Sequence, residues 1–193
     1  MKLIIASNNA HKVGEIKQIL GSRFEEILSL REARVCHETI EDGDSFMANS
    51  LKKAREIAEI TGCAALADDS GLCVDALGGA PGIYSARYAG VDSADLRDRA
   101  NCDLLLKNLA GISDRNAHFT CAIALVYPDG REVMAEGYIH GEIIDEFRGE
   151  NGFGYDPLFL PKGYSRTVAE LSESEKNSIS HRANALAELL TKI

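Results

Sequence analysis

The chain of 193 residues lacks several patterns that mark common protein classes. It has five cysteines, an odd number, and no two of them form a C-x-x-C pair. We therefore do not expect a zinc knuckle or a disulfide framework, and reduced, mostly buried thiols of a cytoplasmic protein fit better. No stretch approaches about 18 consecutive apolar residues, so we expect no membrane span. The apolar run after Met1 is too short for a signal peptide.

Positive charge is also scarce. Lys and Arg number 21 against 30 Asp and Glu, which gives a net charge of -9 at pH 7. Nucleic-acid backbones demand basic patches, so we expect no nucleic-acid partner, although a local group of cations with a metal could bind a small polyanion. Internal repeats, low-complexity segments and linkers are absent from the sequence, and we expect a single domain over residues 1–193.

Hydrophobic periodicity predicts alternating strands and helices. Short apolar runs at residues 3–6, 27–28 and 64–67 predict strands, and helical spacing from Val13 to Leu20 and from Met47 to Ala58 predicts two helices. Further helices are expected near 102–109 and 183–190. Alternation over 119–127 predicts a half-exposed strand that returns after the turn at 128–130 as a hairpin. This order predicts an α/β fold with a mixed sheet flanked by helices.

Two adjacent carboxylates follow the third strand candidate, in the run Asp68-Asp69-Ser70-Gly71-Leu72. At a strand end, one carboxylate can hold a hard cation while the other orients or deprotonates water. Gly71 would let the backbone turn closely around a bound group. The alternative is that the run is only a polar turn.

Two further segments are candidates for phosphate and metal contacts. The loop before the first helix comprises Ser7, Asn8, Asn9, Ala10, His11 and Lys12. A helix N-terminus with a lysine suits a phosphate, although the loop lacks the glycines of a P-loop and its side chains could serve as plain N-caps. Glu41 could share a Mg²⁺ ion with Asp69, and Lys53 lies one helix later.

Two later segments could contact a planar ring. The loop Gly152-Phe153-Gly154-Tyr155-Asp156-Pro157 could lay Phe153 flat against such a ring, or it could be a tight turn around a buried Phe. Lys176, His181 and Arg182 lie just before or within the first turn of the last helix. Cations oppose the helix dipole there, and a bound anion or electron-rich base would offset that cost.

Taken in order over nearly the whole chain, these motifs, together with Glu41-Asp42-Gly43 and Pro81–Arg87, closely resemble the Ham1/inosine triphosphatase-like family. The resemblance implies two lobes around a central substrate cleft, as in Maf/Ham1-like folds. It also implies Mg²⁺-dependent hydrolysis of non-standard purine nucleoside triphosphates (ITP, dITP and XTP) to the monophosphate and pyrophosphate. It further implies a cytoplasmic homodimer.

By the same resemblance, the 7–12 loop and Ser70 bind the triphosphate. Glu41, Asp69 and Asp68 serve the metal, with Asp69 as general base and Lys53 assisting at the phosphates. The base and ribose pocket would be formed by Phe153, Gly154, Tyr155, Asp156, Lys176, His181 and Arg182.

The chain departs from the family pattern at two positions. Ser7 stands where a Thr is frequent, which keeps the hydroxyl, and Ala48 stands where a Glu is common, which removes a carboxylate near the metal site.

Two other functions stay open from the residues. One is a Maf-like pyrophosphatase that acts on modified pyrimidines. Measuring activity against nucleotides with different bases would distinguish it from a purine-specific enzyme. A nucleotide sensor without turnover would not need a water-activating carboxylate, and pyrophosphate release from dITP with Mg²⁺ would decide against it.

Overall fold

The computed structural model describes residues 2–193, apart from the side chains at positions 22, 94 and 95. Strands and helices alternate in the first third, as the periodicity predicts. The strands are β1 Lys2–Ile5, β2 Glu26–Ser29, β3 Ala64–Val74, β4 Asn116–Val126, β5 Glu132–Ile143 and β6 Phe159–Pro161. The helices are α1 Ala10–Leu20, α2 Phe46–Thr61, α3 Ala94–Asn108, α4 Glu173–Ile179 and α5 His181–Leu190.

The strands form one mixed sheet in the described part of the chain, in the order β2-β1-β3-β4-β5-β6. β1 pairs in parallel with β2 and with β3, where Leu3 lies opposite Ala64 and Ile5 opposite Leu66. β5 pairs antiparallel with β6. The predicted α/β fold with a mixed sheet is confirmed, whereas β6 and α4 were not predicted, because each is short and has no clear apolar period.

Two corrections concern strands. β3 does not end at Ala67 but continues through the Asp pair and Gly71 to Val74. The turn expected at Gly71 is therefore wrong, because Leu72 and Val74 carry the apolar alternation onward and are fully buried. β4 is not half-exposed either, since its small residues on the second face, such as Ala122 and Ala124, are buried too.

The chain falls into two compact units. The first runs up to Asp69 and adds Cys121–Gly137 and His181–Ile193. In this unit, β1 and residues 64–67 of β3 are covered on both faces. On one face, alternate residues of β1 and β3 pack with α1 and α5 in a core that includes Leu3, Leu66 and Leu186. On the other face, Ile4, Ala65 and Ala67 pack with α2. Two covered faces explain why these strands are apolar throughout.

The second unit comprises Ser70–Thr120 and Tyr138–Ser180. Its core gathers buried residues of α3, β4 and the segment around β6, including Leu105, Phe119 and Phe159. The rings of Phe119 and Phe159 meet edge-on, with centroids 4.8 Å apart. The central cleft expected between two lobes stays a prediction, as does the single domain over residues 1–193.

The thiols are less buried than the sequence analysis expected. All five are free, with Cys102 and Cys121 buried, Cys63 and Cys73 half-buried and Cys36 exposed. Within residues 2–193, no helix is both long and apolar enough to cross a bilayer.

Candidate active site

Asp68 and Asp69 lie within β3, and both are buried. Successive side chains of a strand point to opposite faces. The even-numbered residues Ala64 and Leu66 face α1 and α5, and the odd-numbered Ala65 and Ala67 face α2. By the same alternation, Asp68 shares a face with α1 and α5, and Asp69 shares a face with α2.

The Asp69 side gathers groups from α2 and from the acidic loop before it. Lys53 Nζ lies 2.6 Å from Glu41 Oε1 and 3.8 Å from Asp69 Oδ1, and it donates to the Asp68 carbonyl oxygen at 2.8 Å. Asn49 Nδ2 donates to Asp69 Oδ2 at 3.0 Å. The residues predicted from sequence as catalytic, Asp69 and Lys53, and as metal-binding, Glu41, are thus brought together.

Burial and neighbouring charges shift the pKa values of both Asp69 and Lys53. Burial raises the pKa of the Asp69 carboxyl, and Lys53 only partly opposes that rise. Burial also works against charge on Lys53, but Asp69, Asp68 and Glu41 outweigh it and raise the pKa of the ammonium. Lys53 therefore stays charged beside a carboxylate that takes up a proton more readily than usual, which suits a general base.

The donor set on this side fits magnesium. Glu41 and Asp69 offer carboxylate oxygens, and Mg²⁺ in proteins is usually held by one or two carboxylates together with substrate phosphates and water. The two carboxylates would accordingly need substrate oxygens and water to complete the coordination.

The Asp68 side is a buried ion cluster. Arg182 donates from Nε and Nη2 to Asp68 Oδ2, at 3.2 and 2.9 Å, and from Nη1 to Glu15. Lys12 Nζ lies 3.2 Å from Asp68 Oδ2. Although burial opposes the charge, Lys12 and Arg182 hold the pKa of the Asp68 carboxyl far below its usual range.

This geometry bears on two sequence predictions, and both stay predictions. Asp68 was predicted as a metal ligand, and its carboxylate is paired here with two cations on the opposite face of β3 from Asp69. Arg182 was predicted to contact the base, and its fully buried guanidinium donates here to two carboxylates. His181, the first residue of α5, is likewise buried.

The predicted anion loop is mostly exposed and leads into α1. Asn9 is the N-cap, and its side-chain oxygen accepts from the backbone N–H groups of His11 and Lys12, at 3.0 and 3.2 Å. Ser7 Oγ accepts from the Asn9 N–H at 3.2 Å. Asn8 and Ala10 are exposed. The capping alternative therefore describes what Asn9 does, and phosphate binding by this loop stays a prediction.

The Phe153 loop in the second unit is organised by Asp156. Its carboxylate accepts from the Phe153 N–H at 3.0 Å and from Lys176 Nζ at 2.9 Å. Lys176 Nζ also lies 4.5 Å from the centroid of the half-buried Phe153 ring, a cation–π contact. Gly152 has a φ of 79°, and a Cβ there would collide with the Asp156 carboxylate, so glycine is required.

The other predicted residues of this unit differ in exposure. Tyr155 is buried, and its hydroxyl donates to the Ser85 carbonyl oxygen at 2.9 Å, which makes it part of the core. The Gly154 N–H donates to Asp98 at 2.7 Å. Ser70, directly after Asp69 on β3, is half-buried.

Sequence reasoning missed two residues of these clusters, Asn49 and Glu15. Both are polar residues at buried positions of amphipathic helices. A polar side chain on the apolar face of a helix was the available signal, because burial requires such a group to find a partner.

Comparison with known proteins agrees with the fold and the motifs. The Ham1 family model matches residues 3–192. A dITP/XTP pyrophosphatase of Desulfotalea psychrophila is 50% identical over 187 residues, which cover 97% of this chain and 82% of the relative. A dITP/XTP pyrophosphatase of Streptomyces avermitilis is 48% identical over 193 residues, with 98% and 95% covered.

Solved structures show the same similarity. The Ham1 protein of Staphylococcus aureus superposes with a TM-score of 0.88 at 39% identity, covering 100% of this chain and 97% of the other. A nucleoside-triphosphatase / dITP/XTP pyrophosphatase of Mycobacterium abscessus gives a TM-score of 0.78 at 47% identity, with 98% and 99% covered.

Proposed function

Because the chain belongs to the Ham1 family, we propose that it is a nucleoside triphosphate pyrophosphatase that hydrolyses dITP and XTP, the nucleotides in its relatives' names. The proposal extends to ITP as a substrate and to the nucleoside monophosphate and pyrophosphate as products. The observation that carries it is the grouping of Asp69, Glu41 and Lys53 around one buried stretch of β3.

Phosphoanhydride cleavage depends on positioning and charge neutralisation more than on covalent chemistry. Glu41 and Asp69 would hold Mg²⁺, which when bound would neutralise charge developing on the phosphates. Asp69 would also accept the proton of the attacking water, and its raised pKa supports that role. Lys53 keeps both carboxylates paired and supplies a positive charge beside them.

Lys12 is the proposed triphosphate contact from the loop at residues 7–12, together with Ser70. The first-turn N–H groups of His11 and Lys12 already donate to Asn9, so the charge of the Lys12 ammonium matters more than those donors. Asp68 anchors that ammonium at 3.2 Å, with Arg182 and Glu15 behind it. Asp68, Arg182 and Glu15 thereby support phosphate binding by holding Lys12 in place.

The purine would stack on Phe153 in the second unit. Lys176, held beside the ring by Asp156, would donate to purine O6. A 6-amino group would present a donor to a donor there, and leaving a buried donor unpaired costs roughly 1–3 kcal/mol. Two or three such mismatches, at Lys176 and at the predicted base contacts His181 and Arg182, would discriminate against ATP by about 10²–10⁴-fold.

The test compares kcat/KM for dITP, XTP, ITP and ATP, with separate detection of pyrophosphate and phosphate. We expect the first three to be cleaved about 10²–10⁴-fold better than ATP, with pyrophosphate as the released product. Asp69→Asn is the matched inactive control, because it keeps the shape of the side chain and removes the proton-accepting charge. Loss of a general base costs about 10²–10⁴-fold.

Equal kcat/KM for dITP and ATP would contradict the proposed selectivity. Release of phosphate alone would contradict the proposed cleavage site. A folded Asp69→Asn variant with the wild-type rate would remove Asp69 from the chemistry.

The proposal includes a homodimer in the cytoplasm. The support is the family resemblance and, for the compartment, five free thiols, which persist in reducing surroundings. Light scattering that returns the mass of one chain at working concentration would contradict the dimer.

A further inference from the structure

Asn49 lies in the first turns of α2 and is fully buried. Both ends of its amide are used. Nδ2 donates to Asp69 Oδ2 at 3.0 Å, and Oδ1 accepts from the backbone N–H of Gly43 at 2.8 Å. One side chain thus joins the carboxylate on β3 to the loop that carries Glu41, two residues before Gly43.

The neighbouring residue provides a separate hydrogen bond between α2 and β3. Ser50, also fully buried, donates from Oγ to the Ala67 carbonyl oxygen at 2.8 Å. The helix is therefore tied to the strand backbone independently of Asn49. The bonds of Asn49 go instead to the carboxylate and the loop that the proposed chemistry uses.

The loop is fitted closely to the Asn49 amide. A Cβ at Gly43 would lie 2.7 Å from Asn49 Oδ1 and 3.0 Å from Ala48 Cβ. A side chain at position 43 would therefore displace either the Asn49 amide or the acidic loop, and either movement breaks the contact between them. The contact leaves room only for glycine.

We propose that Asn49 is a positioning residue that holds the Asp69 carboxylate and the Glu41 loop in the relative arrangement needed to share a divalent cation. This inference rests on the proposed function. The hydrogen bond from Asn49 to Asp69 Oδ2 fixes the rotation of the carboxylate. The other oxygen, Oδ1, lies on the side of Lys53. Groups that orient metal ligands in this way typically change metal affinity or activity by about 10–100-fold when removed.

The experiment measures dITP hydrolysis against Mg²⁺ concentration in Asn49→Ala, with Ser50→Ala as the matched control from the same helix. We expect the half-saturating Mg²⁺ concentration of Asn49→Ala to rise about 10–100-fold. Excess Mg²⁺ should restore most of the rate, and KM for dITP at that excess should change little. Ser50→Ala should lose stability to urea and leave the Mg²⁺ dependence unchanged.

Gly43→Ala tests the same contact without mutating Asn49. It should raise the half-saturating Mg²⁺ concentration in the same direction. Combining it with Asn49→Ala should add little, because both changes break the same contact. Fully additive effects would contradict the proposal, and so would a Gly43→Ala variant with wild-type Mg²⁺ dependence.

A measurement without turnover separates this inference from the proposed function. Mn²⁺ binding to the substrate-free protein, followed by electron paramagnetic resonance, should weaken in Asn49→Ala and not in Ser50→Ala. If the wild type binds Mn²⁺ but cleaves no dITP, the proposed function fails and the inference stands on this result. Equal Mn²⁺ affinity in wild type and Asn49→Ala, or no Mn²⁺ binding at all, overturns the inference.

Discussion

Asp68 and Asp69 are adjacent in the chain, yet the pKa values of their carboxyl groups shift in opposite directions. Both are buried, so burial raises the pKa in each case. At Asp68, Lys12 and Arg182 outweigh burial, whereas at Asp69 the cation Lys53 is shared with Glu41 and does not. Alternation along β3 places the two groups in different surroundings, and this suits one to structure and the other to proton transfer.

Arg182→Ala should destabilise the protein strongly. The guanidinium is fully buried between Asp68 and Glu15, and removing one partner of a buried ion pair costs about 3–5 kcal/mol because charge is left uncompensated. Urea denaturation measures the loss. Arg182→Lys, which keeps a charge but not the two-pronged geometry, should fall between wild type and Arg182→Ala.

The same variants test the earlier interpretation of Arg182 as a base contact. We expect the ratio of kcat/KM for ITP over ATP to fall in the folded fraction of Arg182→Ala. A ratio that stays near the wild-type value would remove Arg182 from the base-reading role.

Asp68 should make stability depend on acid pH. Its pKa is lower in the folded state than the value of about 3.9 of an unfolded Asp, so its ionisation stabilises the fold above that pH. This contribution is lost as pH falls from about 4 toward the lower folded value. The free energy of unfolding, measured in urea at neutral pH and at about pH 3, should therefore fall more steeply in wild type than in Asp68→Asn. Parallel profiles would show that Asp68 is not the group responsible.

At the scale of elements, the position of α5 depends on a glycine in β5. A Cβ at Gly137 would collide with the backbone of Ala185 and with the carbonyl oxygen of His181, both on α5. The helix therefore packs directly on the strand backbone. This close packing fixes the position of Arg182 in the first turn of α5. Backbone atoms cannot rotate away as a flexible side chain can, so the contact tolerates little change.

Gly137→Ala should displace α5 and cost at least about 1–3 kcal/mol, as overpacking does. Activity should fall as well, because Arg182 moves away from Asp68. The contrasting variant is Gly14→Ala in α1, where no atom lies within 4 Å of the added Cβ. It should stabilise the helix by about 1 kcal/mol. Thermal denaturation of both variants measures the difference, and equal effects would contradict the packing argument.

At the scale of the whole molecule, the chain carries a net charge of -9 and the proposed substrate is a polyanion. Lys12 and Lys53 lie beside carboxylates, so little cationic charge is left over for phosphates. A divalent cation would supply the missing positive charge, and all of its proposed protein ligands are oxygens. Hard oxygen ligands favour Mg²⁺ over zinc.

Excess EDTA should therefore abolish pyrophosphate release from dITP, and added Mg²⁺ should restore it. The unfolding free energy in urea, measured with and without EDTA, controls for loss of the fold. Full activity in EDTA, or recovery with zinc alone, would contradict the oxygen-ligand site.

Much of the architecture was predictable from local pattern. A short apolar run located β1, helical spacing of apolar residues located α1 and α2, and alternation followed by a turn located the hairpin. The extent of β3 was not predictable, since its polar middle, Asp68 to Ser70, interrupts the apolar run and looks like a turn. In the structure this polar stretch nevertheless lies inside one continuous strand, Ala64–Val74, between β1 and β4 in the strand order.

By itself, the sequence determined the mixed α/β class and the family, and through the family resemblance it predicted that Asp69, Glu41 and Lys53 act together. Tertiary structure alone decided which charges meet at Asp68. Arg182 lies 114 residues from Asp68 and 167 from Glu15, beyond the reach of any local period. The packing of α1 and α5 on one face of β3 joins them, and burial away from water then requires each charge to be paired.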